Sequence, residues 1–157
     1  MGSGHGMGSG SSRMDRHHAT VPDSYAGLSS PVPADQASLD RGADLYSTYC
    51  ASCHGDGGMG DGPAGANLDP APAPVGHTSQ MLGDDLLFWR ISEGGAMPPF
   101  SSTMPAWRDS LDEQSRWDLV NYMRALGRGQ VEARQAAGGA PFDSSIEAKV
   151  RAAMLAV

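Results

Sequence analysis

The chain has 157 residues, room for one domain of ordinary size with tails and not for two. Hydrophobic residues make up 39 % while Gly and Pro number 21 and 11, which describes a small core with long irregular stretches. The net charge of −7, with every basic residue except Lys149 an Arg, argues against a nucleic-acid partner and against a lysine-rich docking patch. No apolar run approaches the roughly 20 residues of a membrane span.

In chain order, residues 1–37 read as a flexible N-terminal arm. Met1 to Ser12 is almost all Gly and Ser, with no apolar stretch of the kind a signal peptide needs. It suits an added leader or the processed front of a longer precursor. Arg13 to Pro33 lacks apolar periodicity and reads as extended at best. Residues 38–128 form the expected domain. Ser38 is the expected cap of a first helix, with Asp40 in its first turn and Leu45, Tyr46 and Tyr49 on one face up to Cys50. Gly42 within that helix costs about 1 kcal/mol against Ala, so its use is close approach by another helix. Gly55 to Gly76 is a Gly/Pro-rich loop long enough to require something to wrap.

A second helix is expected from Ser79 or Gln80 to Glu93, with Leu82, Leu86 and Trp89 on one face and Gly94-Gly95 ending it. Met97 to Ser110 is a loop broken by proline. A third helix runs from near Asp112 to Gly127, through Trp117, Val120, Tyr122, Met123 and Leu126. Residues 129–142 read as a linker and 143–157 as a C-terminal amphipathic helix, opened by a capping box at Ser144-Ser145-Ile146-Glu147.

The chemistry sits at Cys50-Ala51-Ser52-Cys53-His54, the pattern for covalent attachment of a c-type haem. Two cysteines separated by two residues on a tight turn can reach two vinyl groups on one porphyrin edge. The next residue, His54, can then offer a ring nitrogen to the iron. A zinc site would need two further Cys or His at short spacing, and His77 alone does not supply them. A thioredoxin-type pair stays open on the pentapeptide, but it wants strands around it.

The region from about Leu39 to Gly127 resembles class I mono-haem cytochrome c domains of bacterial respiratory and copper-associated proteins. The resemblance is carried by Gly42 and Tyr46, the pentapeptide with Gly55, Gly58, Gly60-Asp61-Gly62-Pro63 and Asn67-Leu68-Asp69-Pro70. It continues in Phe88 to Gly95, Met104-Pro105-Ala106-Trp107 and Arg116 to Tyr122. It implies an all-α fold of three to four helices around one covalent haem c, with long Gly/Pro-rich loops. It also implies that the Pro63 carbonyl accepts a hydrogen bond from His54, fixing the ring, and that methionine is the sixth ligand. Of two Met-Pro pairs, the resemblance favours Met104 over Met97, because its spacing to Leu111 and to Arg116-Trp117 matches the family; His77 or an open position are the remaining choices. The implied function is one-electron transfer outside the cytoplasm, on the periplasmic side, and not catalysis. Its implied partners are redox proteins: an oxidase, a reductase or a copper protein. Membrane association stays open through an anchor outside this chain. The rivals are a haem peroxidase or gas sensor with a labile sixth position, and a copper-handling arm made of His5, Met7, Met14, His17 and His18. Trp89, Trp107 and Trp117 read as core or haem wall. Arg90 and Arg108 read as propionate ligands or surface residues, and Asp56, Asp61, Asp84 and Asp85 as solvated charge.

Overall fold

The computed structural model describes residues 13–134. The Gly/Ser leader, most of the linker and the helix expected from Ser144 lie outside the described residues. Regular structure among the described residues is all helical: α1 (Arg13–His17), α2 (Gln36–Tyr49), α3 (Ala51–His54), a 3-10 turn at Pro63–Gly65, α4 (Val75–Thr78), α5 (Asp84–Glu93) and α6 (Glu113–Gly127). The three long helices are those expected, and the short α1, α3 and α4 are additional.

The core is built where α2 crosses α6. A Cβ on Gly42 would lie 2.3 Å from the Asp118 carbonyl oxygen and 2.7 Å from the Tyr122 Cβ, so only glycine permits this approach. Tyr46 and Tyr122 meet just beyond it, ring centroids 5.3 Å apart, and Phe88 of α5 stacks on Trp117 at 4.0 Å. The start of α2 differs from expectation. Asp35 is the cap, its Oδ1 accepting the Ser38 N–H at 2.9 Å. Ser38 lies instead on the face turned to α6, fully buried, and donates its hydroxyl to Asp118 Oδ1 at 2.6 Å. Arg41 Nε donates to the other oxygen of Asp118 at 2.8 Å, and Asn121 donates to Ser38 Oγ at 3.0 Å, so the buried carboxylate is fully engaged.

The second helix also starts later than its apolar pattern suggests. Residues 79–83 turn, and Gly83 precedes α5. Arg124, reaching across from α6, donates to the carbonyls of Ser79 and Leu82 and to the Asp84 carboxylate, the last at 2.6 Å. Those carbonyls serve a side chain from a distant helix, which favours the break. Asp84 and Asp85 are therefore not solvated charge, since they also accept the Ser30 and Gly27 N–H groups. By these bonds the stretch expected as an extended arm is folded onto α5. Ala19, Val21 and Tyr25 pack against Leu86, Trp89 and Phe100, and the Tyr25 hydroxyl donates to Glu93 at 2.5 Å. At the other end Val131, expected in the linker, packs on the main core.

Candidate functional site

Cys50 closes α2, its N–H donating to the Tyr46 carbonyl at 2.9 Å, and the chain turns directly into α3. One helical turn sets Cys50, Cys53 and His54 at i, i+3 and i+4, close together on a shared face. Gly55, at φ 79°, then leaves the helix, and the Tyr46 hydroxyl holds its carbonyl at 2.7 Å. The following loop folds back over α3 through Gly60 N–H to the His54 carbonyl at 2.8 Å and Gly62 N–H to the Cys53 carbonyl at 3.1 Å. A Cβ on Gly62 would come within 2.3 Å of the Ser52 oxygen, so the glycine-rich composition is what lets the loop close on the motif.

Both thiols are free and half-buried. Burial, with Cys53 beside it, pushes the Cys50 thiol up to about 12. The surroundings are helical throughout the described residues, without the strands that a thioredoxin-type pair wants. His54 Nδ1 is 2.8 Å from the Ala73 carbonyl oxygen. With the proton on Nδ1 it donates there, leaving Nε2 a free lone pair. The acceptor differs from the expected Pro63 carbonyl, because Pro63 opens the 3-10 turn and its carbonyl faces the Ala66 N–H at 3.4 Å. Burial lowers the His54 pKa; the Ala73 bond opposes this, and the nearby charge of Arg90 adds to it.

Cys50, Cys53 and His54 open onto a cavity of about 590 Å³, within the roughly 300–1,000 Å³ range of clefts that hold small molecules. Its wall is mostly apolar, with Leu68, Val75, Leu86, Leu87, Ile91 and Leu119 among its residues. Met104 lines this cavity and Met97 does not. Met97 packs with Leu86, Trp89 and Phe100, its sulfur 3.9 Å from Arg90 Nη1. The backbone of Met104 is fixed against the end of α5: Gly95 N–H donates to its carbonyl at 3.0 Å, and a Cβ on Gly94 would sit 2.6 Å from the same oxygen. Two further methionines on the wall, Met81 and Met123, were not singled out by the sequence, and His77 lies there as well. Met123 is hidden in the helical stripe of α6, where its spacing reads as core.

Trp107 and Tyr49 form part of the wall, their rings 5.1 Å apart, whereas Trp89 and Trp117 are buried in the two core clusters. Arg90 lines the cavity, but Arg108 pairs with Glu93 at 3.1 Å away from it. Among the described residues no group of three or more His, Cys, Asp or Glu side chains is placed to hold a metal ion by itself. His5 and Met7 of the arm lie outside the described residues. Two thiols a turn apart, an imidazole with one nitrogen fixed, a thioether and apolar walls fit a large, flat, iron-bearing ring.

Comparison with known proteins points the same way. Residues 37–123 match the family described as cytochrome c oxidase, cbb3-type, subunit III. The chain is 32 % identical over 99 residues to the cbb3-type cytochrome c oxidase subunit CcoP of Azospirillum sp. (strain B510), covering 62 % of this chain and 31 % of that protein. It is 32 % identical over 92 residues to the cytochrome c subunit of the quinone alcohol dehydrogenase of Gluconobacter oxydans, covering 54 % and 18 %. With the cytochrome bc1 complex cytochrome c subunit of Mycobacterium leprae it shares 28 % over 137 residues, covering 80 % and 42 %. The chain thus spans about a third of the length of its CcoP relatives.

Proposed function

This chain belongs to the cytochrome c oxidase, cbb3-type, subunit III family, whose domains carry covalent haem c, and from that footing we propose that it is a one-electron carrier. In this reading Cys50 and Cys53 would anchor the haem through thioethers, and His54 and Met104 would offer its iron an imidazole nitrogen and a thioether sulfur. The observation that supports it is the convergence of all four side chains on one apolar cavity. The bound haem supplies an iron that alternates between ferric and ferrous states. The Ala73 carbonyl orients the imidazole and raises its basicity. The soft sulfur of Met104 favours the reduced state, and the apolar wall excludes water, so both keep the potential positive. Fixing Met104 to the end of α5 holds the ligand in place in both states, which limits reorganisation.

The named relatives are cytochrome c subunits of oxidase, bc1 and dehydrogenase complexes. We infer that this chain likewise exchanges electrons with redox proteins, on the periplasmic side where haem c is attached. No helix among the described residues is long and apolar enough to cross a membrane. The test is a pyridine haemochrome spectrum of the denatured protein, matured in a host competent for haem attachment. A single covalent haem c is the expected result, and a chain at its bare peptide mass would refute it. Carbon monoxide added to the reduced protein then separates carrier from peroxidase or gas sensor: a carrier shows no prompt spectral shift at neutral pH.

A further inference from the structure

The loop that carries Met104 leaves α5 at Gly94 and is closed on itself at few points. Gly95 N–H donates to the Met104 carbonyl at 3.0 Å, and Ser102 N–H to the Gly95 carbonyl at 2.7 Å. Between them the chain turns at Met97, whose carbonyl accepts the N–H groups of Phe100 and Ser101 at 3.0 and 3.1 Å. Ser101 sits at φ 46°, in the left-handed region that a residue with a side chain adopts only at a cost. Such a loop keeps its shape when something outside it holds on, and Phe100 is the handle. Its side chain is buried, edge-on to Trp89 of α5 with ring centroids 5.5 Å apart, in one cluster with Leu86. Ala19, Val21 and Tyr25 of the N-terminal segment pack against that same cluster. The segment is fastened to α5 by bonds that reach water. Gly27 N–H donates to Asp85 Oδ2 at 3.1 Å in an exposed bond. Ser30 N–H to Asp84 Oδ2 and the Tyr25 hydroxyl to Glu93 are only partly buried. Contacts of this kind open locally, at a lower free energy than the whole fold.

We propose that Val21 and Tyr25 are positioning residues for the sixth ligand: docked on the Phe100 cluster, they clamp the 95–104 loop and with it the Met104 sulfur. The proposal rests on the haem reading with Met104 as ligand. Both residues lie ahead of the family match at 37–123, so the clamp comes from outside the matched domain. With the segment docked, its apolar contacts hold the cluster together and oppose relaxation of Ser101, which keeps the Gly95–Met104 bond closed. With the segment released, Phe100 loses cover, the turn at Met97 relaxes and the thioether withdraws. Cys50, Cys53 and His54 belong to another part of the chain and keep their places. A small ligand with a lone pair can then occupy the position that the sulfur left. No electron changes hands, since one bond from sulfur is exchanged for one from the incoming ligand. The clamp therefore sets how firmly the carrier excludes outside ligands, and a small π-accepting anion such as cyanide reads it.

The test uses the full-length holoprotein in its ferric form and two readouts. The first is the limiting rate of binding at saturating cyanide, where withdrawal of the Met104 sulfur sets the pace. The second is amide hydrogen exchange at Gly95 and Ser102, whose N–H groups close the loop. Val21→Ser and Tyr25→Ala are expected to raise both by roughly 5–30-fold. Val21→Ile should keep wild-type values, and Tyr25→Phe, which retains the ring beside Phe88, should fall between. Val131→Ala, on the main core, should lower the melting temperature and change neither. The proposal is overturned if Val21→Ser and Tyr25→Ala leave both readouts at wild type. It is also overturned if Val131→Ala raises them equally, since that pattern marks global stability alone. A faster cyanide rate with unmoved amides overturns it because the ligand then moves without the loop. Faster amides with an unmoved cyanide rate overturn it through Met104, which is then not the ligand that the loop carries. The haemochrome and the sulfur-to-iron band of the wild type are read first: lack of covalent haem would refute the carrier reading itself, and this proposal with it.

Discussion

Three methionines share the cavity wall with His54, and their surroundings separate them. Met104 sits on irregular backbone pinned to Gly94 and Gly95, so its side chain is carried by a braced loop. Met123 is 5 % exposed within the α6 stripe, tied into the main core, and Met81 is 54 % exposed at the edge. Met97, the alternative that sequence spacing leaves open, has its sulfur by Arg90 and its side chain in the second cluster. Replacing Met104 by Ala in the oxidised holoprotein should therefore abolish the weak sulfur-to-iron band at the red end of the visible spectrum. Met97→Leu and Met123→Leu should each keep it, at a stability cost below about 1.5 kcal/mol for a swap that conserves volume. A band that survives Met104→Ala and disappears in either of the others would reassign the ligand.

Helix pairing decides how tightly these residues are held. The α2–α6 crossing depends on Gly42, and Gly42→Ala would drive a methyl into the Asp118 carbonyl and the Tyr122 Cβ. We expect a loss of about 1–3 kcal/mol, as for an overpacked core, read as a lower denaturation midpoint of the holoprotein with its spectrum unchanged. The contact between the N-terminal segment and α5 has a pH signature. The Tyr25 hydroxyl, helped by Arg108, holds Glu93 below its ordinary value of 4.5. A carboxylate depressed in the folded state stabilises fully above its unfolded value, and the stabilisation is lost as pH falls through the folded one. Melting temperature should therefore drop more steeply below about pH 5 in the wild type than in Glu93→Gln; parallel curves would show that the contact is not formed in solution. The α2–α6 pair was legible from Gly42 and the α6 stripe because periodicity and a lone glycine are local signals. The gap between α4 and α5 was not, because it is imposed by Arg124 from a helix some forty residues on. The folded N-terminal segment was equally hidden: Ala19, Val21 and Tyr25 pack from irregular backbone and show no period. Nor can a sequence reveal that the Ala73 rather than the Pro63 carbonyl faces His54 Nδ1, since every residue carries the same carbonyl.

At the scale of the whole molecule the cavity is the dominant fact. Leu86, Leu87, Ile91, Leu119 and Met123 present one side to it and the other to their neighbours, so an occupant of the cavity would extend the core that α2 and α6 form. Without an occupant the apolar lining of this cleft of about 590 Å³ faces water, and each Å² of apolar surface left unburied forgoes roughly 25 cal/mol. Proline-rich residues 70–74 and the loop at Met104 border the cavity, and long loops add ordering cost while adding little core. The chain produced without haem attachment, verified by its mass, should therefore lack a cooperative thermal transition and show lower far-UV helicity. The haem-bearing protein should melt in a single sharp step. Helix pairing through Gly42, Tyr46 and Tyr122 needs no occupant, so residual helicity and slow amide exchange should be confined to α2 and α6. A haem-free chain that melts cooperatively at the temperature of the loaded protein would mean that the occupant is a guest in a self-sufficient fold.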